Sequence, residues 1–168
     1  MLIRLEHLDD IDGLRRVHET AFPTPAEARL VDLLREHGKA TISLVGEMDG
    51  TIVGHILFSP VTIESAPEVQ GLGLGPVAVL PAHQRCGIGS RLIREGLDAC
   101  RRLGCPFVVV LGAPAYYQRF GFTRAGTWGL TNDYGVDEPF MAIQLRPGAI
   151  PAAGGRVVYA PEFADAAP

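Results

Sequence analysis

Two glycines separated by one residue, Gly87 and Gly89, stand where the sequence predicts the start of a helix. Each glycine costs a helix about 1 kcal/mol relative to alanine, so the pair indicates either a tight turn or a ligand that contacts the backbone. The first turn of a helix presents backbone N–H groups without partners and carries a partial positive charge. Because glycine has no Cβ, the stretch "HQRCGIGSRL" is suited to hold a phosphate or pyrophosphate through its main chain.

Two other phosphate-binding loops are excluded by the spacing. The P-loop pattern G-x-x-x-x-G-K-[ST] is absent, and G-x-G-x-x-G fails because Leu92 stands three residues after Gly89. The spacing alone is also compatible with a tight turn and close packing of the helix on a strand. The surrounding elements therefore have to decide between the two interpretations.

The elements that would position this loop follow from hydrophobic periodicity and turn residues. In chain order they are a strand at 2–5, helices at 11–22 and from Pro25 to Gly38, a hairpin around Asp49-Gly50, a strand ending at Pro81, a helix ending at Gly104, a strand at 106–112, a short helix within "PAYYQRFGF", and last strands at 128–130 and 140–145. This order predicts an α/β fold with a mixed sheet, in which the glycine loop joins a strand to a long crossover helix.

The composition indicates one globular domain and excludes several classes of protein. The 168 residues are 47% hydrophobic and 20% charged, and the net charge of −4 gives no basic field for nucleic acid or an anionic membrane. The three cysteines have no C-x-x-C spacing, so we expect neither disulfides nor a metal site. The start "MLIRLEHLDD" does not fit a signal peptide, and we expect a cytoplasmic protein.

The stretch "VAVLPAHQRCGIG" resembles the signature of the GNAT acetyltransferase superfamily, in which an apolar strand end precedes [Gln/Arg]-x-x-Gly-x-Gly at the start of a helix. Gln84, Gly87 and Gly89 fill the defining positions. About thirty residues later, "YYQRFGF" is similar to the family's second mark, Tyr-x-x-x-Gly-Phe, with Tyr117 as its tyrosine. The element order follows the same fold to about residue 146. We therefore expect a GNAT domain over residues 1–146, of the small stand-alone bacterial type, and a C-terminal arm over 147–168 that is packed on the domain or partly disordered.

The resemblance implies a mostly antiparallel central sheet of six to seven strands with flanking helices and splayed fourth and fifth strands. It also implies acetyl-coenzyme A as co-substrate. Its pantetheine would pair with the main chain of Val77 and Val79, and its pyrophosphate would lie on the glycine loop. The cofactor-binding residues implied are Val77, Ala78, Val79, Gln84, Arg85, Cys86, Gly87, Ile88, Gly89, Ser90 and Tyr117.

Acetyl transfer to an amine needs a neutral amine, a donor to the carbonyl oxygen, and a proton for the departing thiolate. The resemblance implies Tyr117 as the acid and the backbone N–H of Val77 as the oxyanion donor. The family often carries a base on the fourth strand, but "LGLGPVAV" has no carboxylate. Glu27 is our first candidate base, with His55 or water as alternatives. The Asn that many relatives carry after the fifth strand is also missing, since that region is "LGAPA".

The function expected is N-acetylation of a small molecule or protein amine by direct attack in a ternary complex. An acyl-coenzyme A-binding sensor without turnover is the alternative. The acceptor is expected between residues 22–29, 55–60 and 127–135. There, Trp128 and Tyr134 would offer an aromatic wall, and Asp133 and the nearby Asp137 would offer anionic groups, which suits a cationic amine, although this stretch also has ordinary turn formers. We expect no nucleic acid or membrane partner and a monomer or homodimer.

Overall fold

Nine strands and five α-helices form within residues 1–167, the part of the chain that the structure, a computed structural model, describes. The strands are β1 (Leu2–Leu5), β2 (Ile42–Met48), β3 (Thr51–Ile63), β4 (Ala66–Val79), β5 (Phe107–Leu111), β6 (Thr123–Arg124), β7 (Leu130–Thr131), β8 (Phe140–Gln144) and β9 (Gly155–Tyr159). The helices are α1 (Ile11–Ala21), α2 (Ala26–Glu36), α3 (Ile88–Arg102), α4 (Pro114–Tyr117) and α5 (Glu162–Ala166). The chain divides into two compact units: unit 1 holds residues 1–59, 75–99 and 161–167, and unit 2 holds 60–74 and 100–160.

Unit 1 is organised around the hairpin that the sequence predicts. Strand β2 pairs antiparallel with β3 and also with β1. The turn between β2 and β3 consists of Asp49 and Gly50, whose φ angles are 51° and 76°. Two consecutive positive φ angles are what a two-residue hairpin turn requires, so the Asp-Gly prediction is confirmed together with its physical reason.

Helices α1 and α3 both pack on this hairpin. Leu14 and Val17 of α1 form a buried cluster with Val45 of β2 and Ile52 of β3. Helix α3 approaches β3 closely, because an added Cβ on Gly96 would lie 2.5 Å from the Phe58 ring. The glycine in the middle of α3 is therefore a packing requirement, which offsets its low helix propensity.

Unit 2 contains the parallel strand pair and the antiparallel strands beside it. Strand β4 pairs parallel with β5 from Leu72↔Val108 to Leu74↔Val110, and this pairing goes no further along β4. Strand β8 pairs antiparallel with both β5 and β6. The buried cluster that covers these strands includes Phe107, Val109 and Phe140. The predicted α/β fold with a mostly antiparallel sheet is confirmed.

The structure adds elements that the sequence analysis did not identify. Residues 147–167, expected as an extended arm, include strand β9, which pairs antiparallel with the end of β3, and helix α5, which packs on α2. Val157 is fully buried in the core of unit 2, and Glu162 is buried and ion-paired with Lys39 at 2.8 Å. Strand β6, of two residues, is too short to give an alternating pattern and was not expected. Of the strand expected at 128–130, only Leu130 lies in a strand, the two-residue β7, because Ala125–Trp128 form a 3₁₀ helix. Such short strands explain why more strands form than the six to seven expected.

The α3–β3 contact gives a stability prediction. Gly96→Val places two methyl groups against the Phe58 ring, and we expect the free energy of unfolding to fall by about 1–3 kcal/mol. Urea denaturation measures this change. The control Glu95→Val puts the same side chain in the same helix where the native one is 44% exposed, so its effect should stay well under 1 kcal/mol. A loss in Gly96→Val no larger than that in Glu95→Val would contradict the close contact as the reason for the glycine, because helix propensity alone favours valine over glycine.

Candidate active site

The loop between β4 and α3 has an open backbone conformation at Gly87. Helix α3 begins at Ile88, and the N–H of Arg91 donates to the Gly87 carbonyl at 3.1 Å. Gly87 has a φ of 83°, and a Cβ built there would meet nothing within 4 Å. Glycine is therefore needed for its backbone conformation, and the space above it is free. Arg85 also has a positive φ, 61°, which tightens the turn.

The first backbone N–H groups of α3 are available to a ligand. Among residues 1–167, none accepts a hydrogen bond from the N–H groups of Gly87, Ile88 or Gly89. A helix of fifteen residues adds its partial positive charge at this end. These unpaired donors and the open space at Gly87 make the loop able to bind an anion such as a phosphate.

Gln84 supports the loop from within. Its side-chain Nε2 donates to the carbonyl of Val79 at 3.0 Å, and its backbone N–H donates to Pro81 at 3.3 Å. The glutamine of the sequence pattern thus ties the loop to the end of β4. The exposed Cys86 Sγ contacts the Gln84 carbonyl at 3.4 Å.

The end of β4 presents alternating side chains. Ala78 is 4% exposed and joins the core cluster of α1 and the hairpin, while Val77 and Val79 are half-buried. The N–H of Leu80 donates to the Val53 carbonyl at 2.8 Å, which holds this strand end against β3.

Tyr117 ends helix α4 in unit 2 with a buried ring. The ring packs edge-on against Tyr116 and Phe122, with centroids 5.1 and 5.7 Å apart. A Cβ on Gly112 would collide with it, so that glycine makes room for the tyrosine. Gly121, the glycine of the Tyr-x-x-x-Gly-Phe pattern, ends the turn after α4 with a φ of 97°.

The hydroxyl of Tyr117 is suited to hold a proton. Burial raises its pKa to about 12, with the neighbouring Tyr116 as a second cause. No hydrogen bond joins this hydroxyl to another residue within 1–167. The group therefore stays protonated at neutral pH and is free to donate to a thiolate.

Glu27 lies in the first turn of α2 and faces the C-terminal helix. Its side chain borders a cavity of about 90 Å³ together with Phe163 and Ala166. The Oε2 atom is buried and has no hydrogen-bond partner among the described residues. The candidate base from the sequence is thus half-buried and unpaired.

A chain of buried, hydrogen-bonded polar side chains crosses unit 1. The sequence analysis did not identify it. His18 Nε2 lies 2.8 Å from His55 Nδ1, and His55 Nε2 lies 2.7 Å from Ser43 Oγ. Ser43 is hydrogen-bonded to the Glu6 carboxylate, which is also ion-paired with Arg35. Both imidazoles are fully buried. Periodicity indicates that His18 and His55 face inward, but nothing in the sequence indicates that they meet.

The electrostatics of this chain follow from burial. Desolvation lowers the pKa of His18 to about 3 and also lowers the pKa of His55. Burial opposes ionisation of Glu6, but the nearby His55 ring and the hydrogen bonds from Arg35 and Ser43 outweigh it and lower its pKa to about 2. At neutral pH the chain is therefore a carboxylate followed by two neutral histidines.

The acidic residues expected near the acceptor already have partners. Asp133 is ion-paired with Arg156, and Asp137 is ion-paired with Arg124. Trp128 Nε1 donates to Thr123 Oγ1 at 3.2 Å. These pairs are on the surface of unit 2, so the two carboxylates are already partly neutralised by arginines.

Residues 1–167 contain no group of three or more side chains arranged to hold a metal ion. None of the helices within these residues has the length and apolar character needed to cross a bilayer.

The comparisons with known proteins agree with one family. The family model described as "Acetyltransferase (GNAT) family" matches residues 11–122. The Escherichia coli K12 protein named "Uncharacterized N-acetyltransferase YhbS" is 36% identical over 165 residues, which is 97% of this chain and 98% of that one. YjhQ of the same organism, with the same naming, is 39% identical over 137 residues, 79% of this chain and 76% of that one.

Two solved structures are also similar. The crystal structure of Escherichia coli YhbS in complex with CoA has a TM-score of 0.92 at 36% identity and covers 97% of this chain and 91% of that one. A GNAT family acetyltransferase from Brucella melitensis in complex with acetyl-CoA has a TM-score of 0.81 at 40% identity, covering 96% and 97%.

The buried histidines make stability depend on pH. The pKa of His18 is lowered from 6.5 to about 3, so below pH 6.5 the unfolded chain binds a proton that the folded chain does not. Stability must fall as the pH falls through this range, by up to about 1.4 kcal/mol per pH unit for each such histidine. The ordinary pKa of Glu6 is 4.5, so its own contribution is lost only below that pH.

We expect His18→Gln to flatten the dependence of unfolding free energy on pH between about pH 6 and pH 5. The glutamine amide keeps a donor to His55 but does not titrate. The slope should decrease by up to one proton, about 1.4 kcal/mol per pH unit. Urea denaturation at several pH values measures both slopes. Identical slopes would contradict the lowered pKa of His18.

Proposed function

Because this chain belongs to the acetyltransferase (GNAT) family, we propose that it transfers the acetyl group of acetyl-coenzyme A to an amine by direct attack in a ternary complex. That the chain is an acetyltransferase follows from the family and from relatives that share nearly its whole length. The proposal concerns the donor, the class of acceptor and the residues that act.

The observation that carries the donor assignment is the open first turn of α3. Unpaired N–H groups at Gly87, Ile88 and Gly89, with free space at Gly87, form a cradle for a diphosphate. Arg85 and Ser90 complete the proposed loop contacts, with Cys86 between them and Gln84 holding its shape. The bound CoA of YhbS and acetyl-CoA of the Brucella protein support coenzyme A as the ligand here.

The end of β4 is proposed to bind the thioester arm. Val77, Ala78 and Val79 lie beyond the last β4–β5 pair at Leu74, so an extended pantetheine can add to their main chain as a strand would. The backbone N–H of Val77 is assigned to the acetyl carbonyl oxygen. A fixed donor at this position stabilises the charge that develops on that oxygen in the transition state.

Tyr117 is proposed to act as the acid. As the amine nitrogen bonds to the carbonyl carbon, the carbon–sulfur bond breaks and the Tyr117 hydroxyl gives its proton to the departing thiolate. A phenol is protonated at neutral pH, and the lack of a competing hydrogen bond at this hydroxyl supports the assignment.

The acceptor is proposed to be a primary amine of a small molecule or a protein, and it must enter neutral. A lysine-type amine has a pKa of about 10.4, so its proton has to be removed before or during attack. Glu27 and His55 are the bases that the sequence suggests. The unpaired Oε2 of Glu27 supports the first, whereas both ring nitrogens of the buried His55 are already hydrogen-bonded.

The anion cradle is tested by Gly87→Asp. The carboxylate would stand where the diphosphate binds, and like charges in contact cost several kcal/mol, so we expect affinity for coenzyme A to fall about 10²-fold or more. Calorimetry with coenzyme A measures the loss.

Gly50→Asp is the matched control for this substitution. Gly50 has a similar φ, 76°, and the same open space around a built Cβ, but it lies at the tip of the β2–β3 hairpin. It carries the same backbone strain and charge, and its affinity should equal that of the wild type. Undiminished binding in Gly87→Asp would contradict the loop assignment.

Tyr117→Phe tests the acid. We expect kcat to fall about 10²–10⁴-fold while the affinity for acetyl-coenzyme A is kept, because only the proton donor is lost. Release of free thiol with a panel of primary amines measures the rate. Tyr116→Phe, on the same helix and in contact with the same ring, is the control and should stay near the wild-type rate. Tight binding of acetyl-coenzyme A by the wild type without thiol release would favour the acyl-coenzyme A sensor instead.

A further inference from the structure

One nitrogen of the buried polar chain is left without a partner. His18 Nδ1 is buried and has no hydrogen bond to any residue within 1–167. The His18 side chain is fully buried, so bulk solvent does not reach this atom. A buried polar atom without a partner is energetically costly, and such an atom needs an explanation.

The hydrogen-bond chain fixes which form of His18 is present. The Glu6 carboxylate can only accept, so the Ser43 hydroxyl donates its one proton to it. The Ser43 oxygen must then accept from His55 Nε2–H, which leaves His55 Nδ1 as an acceptor. His18 Nε2–H donates to that nitrogen.

It follows that His18 Nδ1 carries a lone pair and no proton. The direction of the chain is set by the ion pair of Glu6 with Arg35, which keeps Glu6 a carboxylate. The hydrogen-bonded network therefore orients the basic Nδ1 of His18 and leaves it able to accept from a donor outside the network.

The position of His18 suggests where that donor comes from. His18 lies near the end of α1, and its ring stacks on Phe22 at 5.9 Å and 6° between planes. Phe22 is half-buried and begins the connection from α1 to α2. This connection belongs to the segment at which the sequence analysis expects the acceptor, and Phe22 is its residue in contact with the His18 ring.

We propose that His18 is the catalytic base of the acetyl transfer, with His55, Ser43 and Glu6 as the positioning residues that hold its Nδ1 lone pair ready. This proposal rests on the proposed function. As the amine nitrogen bonds to the carbonyl carbon and the carbon–sulfur bond breaks, the nitrogen's proton passes to His18 Nδ1. The resulting imidazolium donates through Nε2–H to His55, and it returns the proton to solvent when the product leaves.

The low basicity of His18 is compatible with this step. Burial keeps the ring neutral at pH 7, so its lone pair is always available, but it does not deprotonate a free ammonium ion. Once the amine nitrogen has bonded to carbon, its proton is far more acidic than that of the free ammonium, and a weak base suffices. The amine must therefore enter neutral, and His18 acts only during the transfer.

The kinetic test uses His18→Gln, which keeps an amide donor for His55 and removes the basic nitrogen. With acetyl-coenzyme A and the primary amine that the wild type turns over fastest, we expect kcat/KM to fall about 10²-fold or more at pH 7. Affinity for acetyl-coenzyme A should not change. The deficit should shrink roughly tenfold per pH unit as the pH rises, because hydroxide replaces the missing general base.

The pH profile separates this role from a structural one. The charged groups around the two imidazoles are Glu6, Arg35 and Asp10, and they are the same in the wild type and in His18→Gln. A merely structural defect would lower kcat/KM by a constant factor at every pH. His37→Gln is the control and should match the wild type. His37 follows the end of α2 and pairs with Glu162, and neither residue belongs to the hydrogen-bonded network of His18.

Nitrogen-15 NMR of the histidine rings tests the chain without any turnover. We expect the Nε2–H form for His18 and His55, with both Nδ1 atoms unprotonated at pH 7. Ser43→Ala should alter the His55 signals because it removes the acceptor of His55 Nε2–H. A proton on His18 Nδ1 would overturn the proposal.

The outcomes distinguish the base from the function. Wild-type turnover with an unchanged or constant-factor profile in His18→Gln would overturn the base and leave acetyl transfer standing. A deficit that shrinks with pH in Glu27→Gln and not in His18→Gln would assign the base to Glu27 and overturn the proposal. No turnover of any amine by the wild type would overturn both, whatever the NMR spectra show.

Discussion

The unpaired first turn of α3 is the constraint on which the coenzyme A assignment depends. A helix cannot satisfy its own first N–H groups, and a protein usually covers them with a capping side chain or with water. Here the residue before the helix is Gly87, which has no side chain to cap with and leaves the space in front of the N–H groups free. Leaving the helix uncapped costs free energy, but it keeps the main-chain N–H groups available to bind a diphosphate.

The buried chain from Glu6 to His18 is a second case in which a costly arrangement has a chemical use. Two imidazoles without charge and a carboxylate with one arginine are held in a core that apolar side chains would fill at lower cost. What the arrangement adds is direction. A carboxylate at one end forces every proton in the chain to point towards it, so the far nitrogen is left as a free acceptor.

Glycine serves two different structural purposes in this protein. Gly87 is required by its own backbone angle, whereas Gly96 and Gly112 are required by a neighbouring ring that a Cβ would displace. The same residue type thus keeps a binding surface open in one place and allows close packing in the others. A glycine in the sequence does not reveal which of these it serves.

Local patterns in the sequence were sufficient for the hairpin at Asp49-Gly50, the helix start at Gly87, the aromatic turn around Tyr117 and the family itself. The first three each depend on residues within a few positions of one another, where backbone preference and periodicity act directly, and the family rests on two such patterns about thirty residues apart. The sequence did not indicate β9 and α5, because a short strand and a short helix depend for their stability on distant partners such as β3 and α2. Only the tertiary structure brings His18 to His55 and Ser43 to Glu6, each pair 37 residues apart in the chain. The hydrogen bonds that set the protonation of a buried nitrogen are formed between elements, and no local pattern encodes them.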